Sequence, residues 1–133
     1  GFRSSRADNT RRIVRALEDP RVRILGHATG RLLLSRKGYD VDLDAVLETA
    51  AANGVVVELN ADPWRLDLAW QHWPQAKALG VRTAINPDAH SPRGLDYVRI
   101  GVDQARKGWL EAADVVNTWE LAEVTALFRR RRP

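Results

Sequence analysis

The chain has 133 residues, 44% of them hydrophobic, with no Cys, no Met and a formal net charge of +4. That is enough apolar material for one compact domain, and the lack of Cys excludes disulfides and thiolate metal sites. No stretch reaches the roughly 18 consecutive apolar residues of a membrane span, and no apolar secretory segment opens the chain, so a cytoplasmic protein without a membrane partner is expected.

The positive charge is almost all Arg and is unevenly spread. Residues 1–36 hold nine Arg against Asp8, Glu18 and Asp19, the middle of the chain is acidic, and Arg129 to Arg132 close it. Basic ends of this kind suit phosphate-rich partners, and equally a solvated helix face with a basic tail. A chain that opens at Gly1 and contains no Met is expected to be a piece of something longer.

In chain order, Asp8 to Leu17 predicts a helix with Ile13, Val14 and Leu17 on one face, closed by Pro20. Val22 to Gly26 predicts a short strand. Asp42 to Ala52 places Leu43, Val46, Leu47 and Ala50 at helical spacing, and Asn53-Gly54 stops that helix. Val55 to Asn60 is a β-branched run that predicts a second strand, Asp67 to Leu79 a helix closed by Gly80, and Val81 to Asn86 a third strand. Pro92 to Arg106 predicts a largely helical segment, Val115-Val116 a last short strand, and Glu120 to Arg129 a last helix. The alternation implies an α/β fold of about four parallel strands joined by helical crossovers, each strand buried on both faces. A doubly wound sheet and part of a β/α barrel both fit it.

Ligands of parallel α/β folds bind beyond the carboxyl ends of the strands. The first strand is followed by His27, the second ends on Glu58 and Asn60, the third is followed by Asp88 and His90, and Asn117 and Thr118 lie near the fourth. Asp88 and His90 are two positions apart and leave the same face if the chain stays extended. With His27 opposite, they form a carboxylate–imidazole set suited to Mn, Fe or Zn; the competing reading is a loop Asp capping the next helix. Glu58 and Asn60 share a strand face and line the same end, as a base or as a structural carboxylate with its partner. Arg31 and Arg65, in the loops after the first two strands, are candidates for phosphate binding or for surface salt bridges. The Trp residues read mainly as packing; Trp64, on a strand-end loop, is the one placed for base stacking. His72 falls within a helix and reads as a helix-surface residue.

The segments "ILGHATGRLLL", "VELNADPWRLDL", "GVRTAINPDAHSPRGL" and "VNT" resemble the PHP (polymerase and histidinol phosphatase) domain, in the form found at the C-terminus of bacterial family X DNA polymerases. The order and spacing match along nearly the whole chain. The resemblance implies the C-terminal portion of a distorted (β/α)7 TIM-like barrel that holds divalent metal ions, Mn or Zn, at the strand ends and hydrolyses phosphoester bonds. In the polymerase-linked form the activity is a Mn-dependent 3′–5′ exonuclease in DNA repair. Residue by residue, it implies that His27, Asp88 and His90 are metal ligands, with Asp88 and His90 in the catalytic centre, and that Glu58 and Asn60 line the site. Two departures stand out: Ala28 follows His27 where the family has Pro, and Pro87 precedes Asp88 where the family has Thr or Ser. Pro87 removes an N–H and fixes a backbone angle.

The family's N-terminal half, which carries further His and acid ligands, has no counterpart in this sequence. Residues 1–133 are therefore expected to be one domain, the C-terminal half of a PHP domain, with its metals incompletely coordinated. Expected partners are DNA in the intact protein, the N-terminal half of the domain, and a second copy of the chain. A non-catalytic structural or DNA-docking module, and a histidinol-phosphatase-like monoesterase, are the alternative functions.

Overall fold

The computed structural model describes residues 2–129; Arg130 to Arg132 of the basic terminal run lie outside the described residues. Helix α1 (Arg6–Glu18) starts at Ser5, whose hydroxyl accepts from the Asp8 N–H at 3.1 Å, and stops short of Pro20. It buries Ile13 and Leu17. Strand β1 is only Ile24–Leu25. Helix α2 (Leu43–Ala52) is capped by Asp42, and its neighbour along the chain, Gly54, takes φ +59° to turn the chain into β2.

Strand β2 (Val56–Asn60) is buried along its whole length, as the β-branched run predicts. It lies between β1 and β3 (Thr83–Asn86) in a three-stranded parallel sheet of order β1-β2-β3. Val57 and Leu59 face the main core with Leu17, Leu47 and Trp73. Val56 faces the other way and packs with Ala84 and Val116 under Trp119, Leu127 and Phe128. By the alternation of side chains along a strand, Glu58 and Asn60 share that second face with Val56.

The predicted helix from Asp67 is shorter than expected. Residues Trp70–His72 form a 3-10 turn and α3 covers Trp73–Ala78, with Pro74 in the first helical turn. Proline belongs there, because its missing N–H has no acceptor to lose in the first turn. The segment before it is claimed by Asp67, which is fully buried and tied to another loop. Pro92 likewise opens a 3-10 stretch, Pro92–Tyr97, before α4 (Val98–Lys107). Helix α4 lies close on the sheet at Gly101, where a Cβ would meet Ile85 Cγ2 at 2.4 Å and Ala61 Cβ at 2.7 Å.

The fourth strand is reduced to a single parallel bridge, Thr83 to Val115, between 3-10 turns at Ala112–Asp114 and Val116–Thr118. Its place is taken by a side chain. Asn117 Oδ1 accepts from Ile85 N–H at 2.8 Å, and Asn117 Nδ2 donates to Ile85 O at 3.0 Å. One amide thus satisfies both main-chain groups of Ile85 that a neighbouring strand would have paired. Helix α5 (Leu121–Arg129) completes the described chain. The observed architecture is mixed α/β, a three-stranded parallel sheet with flanking helices, and the described residues do not close into a barrel.

Candidate functional site

The loops beyond β1, β2 and β3 meet at one end of the sheet. Two of the predicted site residues leave regular backbone geometry: His27, just past β1, has φ +49°, and Asp88, just past β3, has φ +52°. Positive φ is uncommon for residues other than Gly and gathers at functional sites, where surrounding contacts hold it in place. For His27 those contacts include a hydrogen bond from its own N–H to Glu58 Oε2 at 2.9 Å.

Glu58 and Asn60 organise the centre. The Glu58 carboxylate is buried; besides the His27 N–H it accepts from Asn86 Nδ2 through Oε1 at 3.0 Å, so it joins the ends of all three strands. Asn60 Oδ1 accepts from the Asp62 N–H at 3.1 Å, which fixes the orientation of the amide. Its Nδ2 then faces two carboxylate acceptors, Asp88 Oδ2 at 3.2 Å and Glu58 Oε2 at 3.4 Å, and lies 3.1 Å from His27 Nδ1. The His27 ring is held between Glu58 Oε2, 3.2 Å from Nδ1, and Asp88 Oδ2, 3.5 Å from Nε2.

The predicted site residues divide. His27, Glu58, Asn60, Arg65 and Asp88 are brought together. Arg65 does not stand free for phosphate: its Nε is 3.1 Å from Asp88 Oδ2, and both side chains are largely buried. Arg31 is used structurally. Its Nε donates to Arg65 O at 2.8 Å and its Nη2 to Leu66 O, so it clamps the loop after β2 to the loop after β1. Burial lowers the Arg31 pKa, and the nearby Asp67 charge opposes that shift. His90 lies on the surface with Nδ1 2.6 Å from Asp88 O, its neighbour's main chain. The shared face expected for Asp88 and His90 presupposes extended backbone, and the positive φ of Asp88 replaces that with a turn.

Asp67 is the residue that sequence reasoning missed, having placed it at a helix start. Its carboxylate accepts from Thr29 N at 3.0 Å, Thr29 Oγ1 at 2.9 Å and Gly30 N at 2.9 Å, and so fixes the segment that follows His27. A lone acid between Leu66 and Leu68 is the signal that could have found it. His72 is half-buried at the end of its 3-10 turn. Its pKa is lowered by burial and by the Arg31 charge, against the pull of Asp44 and Asp67. Trp64 is exposed on the rim beside Arg65, and its carbonyl accepts from Leu33 N at 2.7 Å. Trp109, expected to pack, is also exposed.

The donor set can be tested against a divalent ion. Two donors on one ion with bonds of about 2.1 Å stand about 3.0–3.5 Å apart in octahedral or tetrahedral geometry. The 3.5 Å between His27 Nε2 and Asp88 Oδ2 fits that spacing, and Asn60 and Glu58 supply the outer contacts that orient metal-binding groups. The fit stops at two protein donors: among the described residues no group of three or more His, Asp or Glu side chains is placed to hold a metal ion.

An imidazole, two carboxylates and an arginine are thus gathered beyond the strand ends of a parallel α/β sheet, the end at which such sheets bind ligands. No family model matches the chain. It is 42% identical over 120 residues to the DNA polymerase/3′-5′ exonuclease PolX of Bacillus subtilis, a match that takes in 90% of this chain and 21% of that protein. It is also 30% identical over 88 residues to a probable phosphatase of Caldanaerobacter subterraneus subsp. tengcongensis, across 62% of this chain and 32% of that protein. The chain thus spans between about a fifth and a third of the length of these curated relatives. It is a PHP-type domain resembling the C-terminal region of the family X DNA polymerases.

Proposed function

We propose that this chain is the C-terminal half of a PHP phosphoesterase domain, part of a distorted (β/α)7 barrel, whose intact form is a Mn-dependent 3′–5′ exonuclease linked to a DNA polymerase and acting in DNA repair in the bacterial cytoplasm. The observation that carries this reading is the His27–Asp88 pair, 3.5 Å apart beyond two parallel strands, in a chain 42% identical to PolX. In this reading His27 and Asp88 hold a divalent ion, Mn or Zn, for which mixed nitrogen and oxygen donors are suited. When bound, such an ion activates water and neutralises phosphate charge. Glu58 and Asn60 orient the two ligands. Arg65 stands against Asp88 at the same centre, and His90 belongs to the rim. The remaining ligands come from the N-terminal half of the domain, whose strands would cover the open side of β1, an edge of the sheet. A second copy of the chain is the other occupant of that edge.

The test is a pair of assays with Mn, one on DNA 3′ ends and one on a phosphate monoester, made on this chain alone and on the chain extended upstream. Asp88-dependent cleavage of DNA ends only in the extended chain supports the proposal. Activity in neither form favours a non-catalytic DNA-docking module. The phosphatase relative supports a second reading, a monoesterase, for which the monoester alone would be turned over.

A further inference from the structure

We propose that Arg65 is a built-in competitor for the metal: its guanidinium neutralises Asp88 in the metal-free site and must be displaced from Asp88 Oδ2 for a divalent ion to bind there. The inference rests on the metal-site reading above and adds a residue that sets the affinity of that site.

Two carboxylates converge on one amide. Asn60 Nδ2 is 3.2 Å from Asp88 Oδ2 and 3.4 Å from Glu58 Oε2. Two negative charges this close, in partly buried surroundings, repel unless a cation lies beside them. Glu58 is satisfied by neutral donors, the His27 N–H and the Asn86 amide. Asp88 receives the charged one, Arg65 Nε at 3.1 Å. The same oxygen, Oδ2, faces His27 Nε2 at 3.5 Å, so the guanidinium occupies the carboxylate atom that would be shared with an ion.

The main chain of Arg65 is held by its neighbours. Its N–H donates to Asp62 O at 2.8 Å, its carbonyl accepts from Arg31 Nε at 2.8 Å, and Leu66 next to it takes φ +46°. The loop therefore starts the Arg65 side chain beside the site, and the Asp88 contact sets where its guanidinium lies. A divalent cation arriving at Asp88 meets a positive charge already on the same carboxylate. Both cations draw on the same carboxylate oxygen, so their binding is coupled with a negative sign.

The test is calorimetric titration of MnCl2 into the wild-type chain and into Arg65→Gln, paired with thermal melting of both in metal-free and Mn-saturated buffer. Arg65→Gln is expected to bind Mn about fivefold more tightly, the fold-change that goes with a partly exposed ion pair. It should melt below wild type without metal, because Asp88 has lost its cation, and the gap should close or reverse in saturating Mn. Equal or weaker Mn binding by Arg65→Gln, with wild type still binding, would overturn the inference and leave the metal reading intact. No binding by either chain would overturn both. Circular dichroism checks that Arg65→Gln is folded; if it is not, Arg65→Met, which removes the charge and keeps most of the apolar stem, decides the matter by the same comparison.

Discussion

His27 and Asp88 lie on different strand-end loops, both in left-handed backbone conformation, with Nε2 and Oδ2 3.5 Å apart. Neither conformation is favoured by the residue itself, so the surrounding contacts select it. His27 is held by Glu58 through its main-chain N–H, and the segment after it by Asp67. Asp88 is held by Asn60 and Arg65. The site is built by hydrogen bonds between loops, and the predictions below follow from them.

For metal binding, the geometry separates the candidate ligands. Calorimetric titration with Mn should show Asp88→Asn and His27→Ala without measurable binding. Asn60→Ala should weaken binding about tenfold, the usual cost of losing a residue that orients a ligand. His90→Ala should match the wild type, since its imidazole is turned to the Asp88 carbonyl. A loss with His90→Ala equal to that with Asp88→Asn would place His90 in the coordination sphere.

Asp67→Ala should be among the most destabilising polar substitutions in the chain. It leaves the N–H groups of Thr29 and Gly30 without their acceptor in a buried setting. A loss of about 3 kcal/mol is expected, because hydrogen bonds to a charged group are the costly ones to break. Urea denaturation of the variant checks it; a change under about 0.5 kcal/mol, the scale of an ordinary surface substitution, would mean that the loop does not depend on this carboxylate.

Gly101→Ala should cost about 1–3 kcal/mol by overpacking. The new methyl would press into Ile85 and Ala61, and the backbone of α4 would have to move away from the sheet. Gly54→Ala is the control. A Cβ there meets nothing within 4 Å, so its cost comes only from the positive φ. A melting temperature unchanged in Gly101→Ala would show that α4 is not closely seated.

His72 gives a pH dependence with a definite sign. Its folded-state pKa is lowered, first by burial and then by Arg31. The unfolded chain takes up a proton as pH falls through the ordinary His value of about 6.5, while the folded chain resists it. Stability at this residue is therefore complete above about pH 6.5 and falls as pH drops below that value. His72→Gln should flatten that part of the curve, measured by urea denaturation between about pH 7.5 and pH 5. An identical slope in the variant would assign the acid sensitivity to other groups.

Much of this protein was determined by local pattern. Alternating apolar runs and helical periodicities placed β2, β3, α1, α2 and α5 within a few residues, because burial of Val56 to Leu59 or of Ile13 and Leu17 follows from side-chain spacing alone. The order of His27, Glu58, Asn60 and Asp88 at strand ends was legible for the same reason: a parallel strand delivers whatever follows it to one end of the sheet. What the sequence could not contain is the outcome of competition between distant groups. Whether Arg65 meets a phosphate or Asp88, whether Arg31 faces solvent or two carbonyls, and whether Asp67 starts a helix or holds the Thr29 loop depend on contacts between residues more than twenty positions apart. The fourth strand was lost to the same kind of contact, because the amide of Asn117 took the hydrogen bonds of Ile85 that a strand would have made. Local spacing sets where a side chain starts, and only the tertiary fold decides which unsatisfied donor or acceptor it meets.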